Sequence, residues 1–467
     1  MIVSTRPFRL FDYFRVPYRL EPDAEPFGRL GNEHGAIVWP VGSSGGEGRR
    51  ELWRLGDCML YATLADEATM LAQARELGGS WEELGVLHDA DHVRAGSIRR
   101  NDSRVLLLPF DPGDSMVSLW SEAYARERPR RRLGAALLRG YYLARPLVPR
   151  RGQLALRRGF SRVQARSSFP RWPIETSLHD LYELLFDWIA VTLGDSLPAI
   201  GSWPNGKRWC LVLTHDVEHE SGYRSLGELR DLELTHDCRS AWYFVPERDY
   251  TVSDGTVAAL HGAGFEVGVH GLRHDGRDLV PSVLSQRLGA IHTWRKRWGA
   301  VGFRAPALHR DWELMPTLGF DYDTSSFDTD PYEPQGGGCC TWLPFENQGL
   351  VELPLTVTMD HTVFEILDEG SAIWFAKADA LRARGGLTML LTHPDYMSAS
   401  GRLDAYDRFL DRYAADETVW HALPREVSAW WRRRAASTIE ELEDGSLEIA
   451  GPAGSEAQIV RLGRPSG

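Results

Sequence analysis

The chain has 467 residues, a formal net charge of −12 at pH 7 and 25% charged residues, the make-up of a globular protein longer than one ordinary domain. Its five cysteines (Cys58, Cys210, Cys238, Cys339 and Cys340) lack C-x-x-C spacing, which excludes a zinc knuckle and a disulfide framework and fits a reducing compartment. Arg, Asp and Pro interrupt the N-terminus, and no apolar run nears the roughly 20 residues that span a bilayer. Neither a secretory signal nor a transmembrane helix is therefore expected, and a cytoplasmic location is.

Residues 1–195 read as an N-terminal α+β domain. Short alternating strands and polar turns dominate it, with a loop tip at Gly42–Gly48, a helix from Ala65 to Leu77 and a buried strand in Val105–Phe110. No catalytic constellation stands out there. Between Arg126 and Arg171 lie fourteen arginines against a single acid, Glu127, so the rest of the chain carries a larger acid excess than the net charge shows. Apolar residues at helical spacing among these arginines read first as a helix packed on its own domain with solvated guanidinium groups. The alternative is an interfacial helix making peripheral contact with an anionic membrane. No groove-reading motif accompanies the arginines, so nucleic acid is not an expected partner, and no obligate protein partner is indicated.

Ser167–Pro173 punctuates the chain, and Ser177–Leu193 is an amphipathic helix. From residue 196 to about 435 the pattern alternates. Strands are expected at 211–214, 240–245, 265–269, 301–303, 320–323, 351–357 and 387–392. Helices are expected near 225–235, 254–263, 281–297, 311–318, 370–384 and 401–415. Such alternation over some 220 residues implies a parallel-stranded barrel or open sheet. Residues 436–467 are expected to form a small C-terminal β hairpin, turning at Asp444-Gly445 or at Gly451–Gly454.

Several strands run directly into ionisable residues. Leu211-Val212-Leu213 is followed by Thr214-His215-Asp216-Val217-Glu218-His219, and Phe265–Val269 by His270-Gly271-Leu272-Arg273-His274. Two acids one residue apart can divide their work, one accepting a proton and the other holding a cation. An H-x-x-x-H pair places two imidazoles on one side, able to share a metal. Two imidazoles with one carboxylate leave open positions for water and substrate, as catalytic zinc and other divalent ions require. Downstream, Gly302-Phe303-Arg304-Ala305-Pro306 and Met389-Leu390-Leu391-Thr392-His393 are again strands with a polar residue at the end. In an α/β barrel, that end is the rim where catalytic groups collect.

Taken together, residues 205–430 resemble the polysaccharide deacetylases of the NodB-homology type (carbohydrate esterase family 4), with five motifs in the family's order. The resemblance implies a distorted (β/α)7-type barrel and a divalent metal ion, Zn2+ with Co2+ or Ni2+ as alternatives. Thr214–Glu218 is similar to the first motif, which makes Asp216 the general base. The family's adjacent second acid is displaced here to Glu218, assigned to the metal with His219 as fallback. His270–His274 is similar to the second motif and supplies the metal ligands His270 and His274. Arg304-Ala305-Pro306 is similar to the third, whose Arg304 orients the base, with the Ala307 N–H as oxyanion donor. Asp321–Ser325 is similar to the fourth, making Asp323 the partner that keeps the general acid cationic. Leu391-Thr392-His393 is similar to the fifth, making His393 the acid that protonates the leaving group. Two further departures are Gly271, where a Ser or Thr would supply a loop hydrogen bond, and Leu308, where a Gly would end the third motif.

The implied activity is metal-dependent removal of acetyl groups, N-acetyl before O-acetyl, from a polysaccharide or glycoconjugate, with Trp342-Leu343-Pro344 as an expected wall for the acetyl group. The competing readings are an amidohydrolase acting on a small non-sugar amide and a carbohydrate-binding protein with a vestigial site.

Overall fold

The computed structural model describes residues 1–42, 50–126, 159 and 168–464. Residues 43–48 of the loop tip and nearly all of the arginine-rich segment thus lie outside the described residues. The chain divides into two compact units: Met1–Arg128 with Thr176–Gly201 and Arg433–Gly467, and Pro129–Glu175 with Ser202–Arg432.

In the first unit, a nine-stranded sheet runs in the order 19–20, 3–4, 27–31, 36–40, 105–107, 94–101, 81–88, 50–55, 58–63. The helix Ser177–Leu193 packs on strands 36–40, 58–63 and 105–107, burying Leu178, Leu181, Leu185 and Ile189. These apolar residues recur at three- and four-residue spacing, so one stripe of the helix faces the sheet. Gly194, at φ +84°, ends it. A second helix, Glu67–Leu77, starts where Asp66 accepts the Thr69 N–H at 2.8 Å. The terminal segment is built into this unit. Thr438–Glu441 and Leu447–Ala450 form a hairpin across Asp444-Gly445, and Ile459–Leu462 pairs antiparallel with Leu197–Ile200. Among the described residues, no helix is long and apolar enough to cross a membrane.

The second unit is organised on a curled, mainly parallel sheet. Its strands are β1 (Trp209–Val217), β2 (Ala241–Phe244), β3 (Glu266–Val269), β4 (Gly302–Phe303), β5 (Tyr322–Asp323), β6 (Phe345–Asn347), β7 (Leu350–Glu352), β8 (Leu387–Thr392) and β9 (Val419–His421). Their spatial order is β6-β7-β5-β4-β3-β2-β1-β8, with β9 beside the start of β1 and only the β6–β7 pair antiparallel. The two edges meet beyond β7. The Leu353, Leu355 and Val357 N–H groups donate to the carbonyls of Asp323, Ser326 and Met389 in turn. The sheet thereby curls into a distorted barrel.

Every residue of β1 is buried, as in a central parallel strand covered on both faces. The period of two then sorts its polar residues. Thr214 and Asp216 point into the barrel and meet Arg304, whereas His215 points outward to Glu233 on the helix Glu220–Thr235, 2.7 Å away. Aromatic rings fill the lower interior. Tyr243 and Tyr322 share a hydroxyl contact of 2.9 Å, and each lies over a glycine. A Cβ on Gly268 would stand 2.4 Å from the Tyr243 ring, and one on Gly302 would stand 2.0 Å from that of Tyr322.

The helix expected at 311–318 shrinks to a single 3-10 turn, Met315–Leu318. Pro316 sits inside it, and its ring would strike the carbonyl four residues back in an α-helix. Conversely, the stretch after β7 holds a π-helix, His361–Leu367, a rare form frequent at functional sites.

Candidate active site

The groups expected at the strand ends converge on one rim. Among the described residues, Glu218, His270 and His274 each offer a ligand atom, all within 4.8 Å of one another. Glu218 Oε1 is 2.8 Å from His274 Nε2 and 3.7 Å from His270 Nε2. Four donors around zinc at about 2.0–2.1 Å are separated by roughly 3.3 Å, so the set fits such an ion. His270 is anchored through one ring nitrogen. Its Nδ1 lies 3.1 Å from the Arg304 carbonyl, an oxygen that can only accept, so Nδ1 is the donor and Nε2 is the nitrogen that a neutral ring would offer to a ligand. That Nε2 is buried and has no hydrogen-bond partner. A carbonyl-oriented imidazole with an orphaned, inward-facing nitrogen is what a metal ligand requires. His219 is absent from this set. It stands outside, 3.3 Å from Asp249, so Glu218 rather than His219 is the group in reach of both histidines.

Asp216 lies beside the cluster, its Oδ2 3.6 Å from His270 Nε2. Its Oδ1 accepts from Arg304 Nη1 at 2.9 Å. Arg304 is wholly buried and is held by Thr214 Oγ1 at 3.0 Å, by Thr324 Oγ1 at 2.9 Å and over the Tyr243 ring at 4.5 Å. Burial opposes ionisation of Asp216, but the charges of Arg304, His270 and His393 outweigh it and hold the carboxyl below its ordinary range. Burial likewise opposes the charge on Glu218, and His274, His270 and His393 overcome it by a wide margin. Both acids are therefore ionised at neutral pH.

His393 Nε2 faces the same centre, 3.7 Å from Glu218 Oε1. Its other nitrogen corrects the expectation for Asp323. Nδ1 lies 2.7 Å from Asp360 Oδ1, and the His393 backbone N–H donates to Asp360 Oδ2 at 2.6 Å. Burial alone would discharge this imidazole, but the Asp360 and Glu218 carboxylates raise its pKa well above the usual value. Asp323 is committed elsewhere. Its carboxylate accepts the Ser325 N–H at 2.6 Å and the Ser325 hydroxyl at 2.8 Å, and Ser325 Oγ accepts the Ala305 N–H at 2.8 Å. Asp323 thus props the Arg304 loop rather than His393. Burial pushes its carboxyl up to about 6, and burial together with the Asp323 charge pushes the neighbouring Glu352 well above the usual range.

The cavity over these groups is lined by Asp216, Glu218, His274 and His393, with Ala307, Leu308, Met359, Leu391 and Tyr396 adding apolar surface. Ala307 and Leu308 both adopt left-handed backbone conformations, at φ +54° and +49°. The residue in the glycine-preferring place therefore keeps the turn and adds a side chain to the cavity wall. Trp342-Leu343-Pro344 does not line the cavity. The Trp342 carbonyl accepts the N–H of Leu387, the first residue of β8, while His393 follows its last, which puts Trp342 at the opposite end of the strand. Glu333, His361 and Tyr396 also line the cavity and were not anticipated. Asp360 was legible in principle, as an acid following the extended 350–357 stretch.

Gly271 explains its own departure from the motif. At φ +62°, a Cβ here would stand 2.4 Å from Asp278 Oδ2 and 2.6 Å from the Pro306 ring. Asp278 occupies that space and accepts the Leu272 N–H at 3.0 Å, itself held by Arg287 at 2.7 Å. The loop hydrogen bond comes from Asp278 instead. Gly271→Ser is accordingly expected to cost about 2–4 kcal/mol, from the backbone penalty plus overpacking. Urea unfolding measures it, and a change below 0.5 kcal/mol, roughly a neutral surface substitution, would contradict the crowding.

The chain matches no protein-family model and no curated protein sequence. Its fold is similar to several solved structures. One described as a putative polysaccharide deacetylase from Mycobacterium smegmatis is 22% identical, with a TM-score of 0.42, over 50% of this chain and 93% of that one. The PuuE allantoinase is 18% identical at 0.39, over 49% and 92%. A probable polysaccharide deacetylase from Pseudomonas aeruginosa PAO1 is 17% identical at 0.39, over 49% and 92%.

Proposed function

We propose that the second unit is a metal-dependent hydrolase that removes acetyl groups, N-acetyl in the first place, from a polysaccharide or glycoconjugate. One observation carries the reading. An orphaned histidine nitrogen, a second histidine and a carboxylate converge beside an arginine-held aspartate and a carboxylate-held histidine. These are the parts of an acid–base hydrolase with a metal centre.

Glu218, His270 and His274 would hold the ion, which when bound supplies a Lewis acid and lowers the pKa of water. Asp216 accepts the proton of the attacking water, and Arg304 keeps that carboxylate ionised and aimed. The Ala307 N–H is the donor we assign to the developing oxyanion. His393, kept cationic by Asp360, gives its proton to the departing amine, without which an amide C–N bond breaks poorly. Met359, Leu391 and Leu308 offer apolar surface for the acetyl methyl group.

The test combines metal analysis with acetate release from N-acetylated sugar oligomers and from a simple aryl acetamide. Acetate from the oligomers is expected, abolished by chelation and restored by Zn2+ or Co2+. Release from the small amide alone would favour an amidohydrolase. Stoichiometric metal with no acetate from either would leave a binding protein with a vestigial site.

A further inference from the structure

We infer that Arg248 is a positioning residue that sets the gap between Glu218 and His274, and with it the affinity of the site for a divalent cation. This rests on the metal-centre reading above. The loop after β2, Val245-Pro246-Glu247-Arg248-Asp249-Tyr250, contributes no donor atom to the cluster, yet it is bonded to both loops that do. Arg248 Nε donates to the Glu218 carbonyl at 3.1 Å, and Nη1 donates to the Arg273 carbonyl at 3.2 Å.

These two carbonyls border the ligand residues. The first belongs to the peptide plane leaving Glu218, and the second to the plane entering His274. Anchoring the Arg273 carbonyl fixes the plane from which His274 turns to its φ of +53°, a setting that a residue with a side chain keeps only under constraint. Across the gap, His274 Nε2 and Glu218 Oε1 stand 2.8 Å apart. One guanidinium therefore holds, from the backbone side, the two residues that face each other over the cation position.

The same loop is braced on either side of Arg248. The Glu247 N–H donates to the Leu272 carbonyl at 2.9 Å, and the Glu247 carboxylate accepts from Arg273 Nε at 2.7 Å. The Tyr250 hydroxyl donates to the Val217 carbonyl and accepts the Val245 N–H at 3.0 Å. A rigid planar fork can serve two carbonyls at once, whereas an ammonium group is a single flexible point. The arginine is thus specific to the task.

The test measures zinc affinity, by competition with a chromophoric chelator, on full-length wild-type, R248M and R248K protein, together with the melting temperature of each zinc-free form. R248M keeps the apolar stem and loses every donor. It is expected to bind zinc about 10- to 100-fold more weakly, as when outer-shell partners of ligands are removed, with the zinc-free melting temperature nearly unchanged. R248K, reaching one carbonyl only, should fall between. Zinc affinity of R248M within twofold of wild type overturns the role, as does a loss of zinc-free stability with no loss of affinity. Should R248M not fold, R248K decides, and wild-type affinity there overturns the role. Wild-type protein that binds no zinc, cobalt or nickel removes the metal centre itself, and the positioning role with it. That outcome is distinct from equal binding by wild type and variant.

Discussion

Asp216→Asn is expected to lower kcat by about three orders of magnitude, within the range ascribed to a positioned general base, while leaving the metal content unchanged. The amide preserves the side chain's volume and an oxygen for the 2.9 Å contact from Arg304. It cannot take a proton from water. The variant also leaves the buried Arg304 cation without its counter-charge, although Thr214 and Thr324 still accept from it. A stability loss of about 1–3 kcal/mol should accompany the kinetic effect. Steady-state acetate release, elemental analysis and urea unfolding measure the three quantities separately. Loss of the metal together with the activity would show that Asp216 is a ligand and that its role and that of Glu218 are exchanged.

Asp360→Asn should produce the second large effect, a fall in kcat of about 10²-fold together with a displaced alkaline limb of the pH–rate profile. In the wild type, burial works against the charge on His393 and the carboxylates of Asp360 and Glu218 prevail, so its pKa stands well above the ordinary 6.5. Removing the Asp360 charge lets burial win a larger share. His393 then loses its proton at lower pH, and the alkaline limb moves down. Stability follows the same sign. A histidine whose folded pKa is raised contributes stability that is fully present below 6.5 and disappears as pH rises through the folded value. The wild type should therefore exceed the variant in stability most at pH 6 and lose that advantage on going alkaline. An alkaline limb that does not move would remove Asp360 from the proton-transfer pair.

Much of the second unit is legible locally, because period and composition act over a few residues. Leu211-Val212-Leu213 within β1 is an apolar run that suits a buried strand and is too short for a helix, and Asp216 and Glu218 come within five residues of it. The H-x-x-x-H stretch after β3 and the Arg-Ala-Pro after β4 share that arrangement. Strands that run parallel present such endings at one rim, which is why Asp216, Glu218, His270, His274, Arg304 and His393 meet there. The helix expected at 311–318 failed for an equally local reason, Pro316, whose effect on the backbone outweighs the apolar spacing around it.

The partner of His393 was not legible in the same way. Asp323 and Asp360 are both acids near strand ends, and nothing in their neighbours tells them apart. Curling of the sheet brings Asp360, beyond β7, beside the end of β8, where it can bind both the ring and the backbone of His393. The same curl leaves Asp323 to the Arg304 loop. Gly271 is a similar case, since only packing shows that Asp278 fills the space a side chain would need.

The sequence by itself determined the alternating strand–helix architecture of residues 205–430, the strand ends that carry chemistry and the residue types that could hold a cation. Those follow from side-chain period and donor chemistry, which are properties of neighbours along the chain. Only the tertiary structure decided that Asp360 rather than Asp323 charges His393, that His270 turns an unsatisfied nitrogen to the centre, and that Arg248 bridges the loops carrying Glu218 and His274. Those are contacts between segments tens of residues apart, and their pairing is set by how the sheet closes.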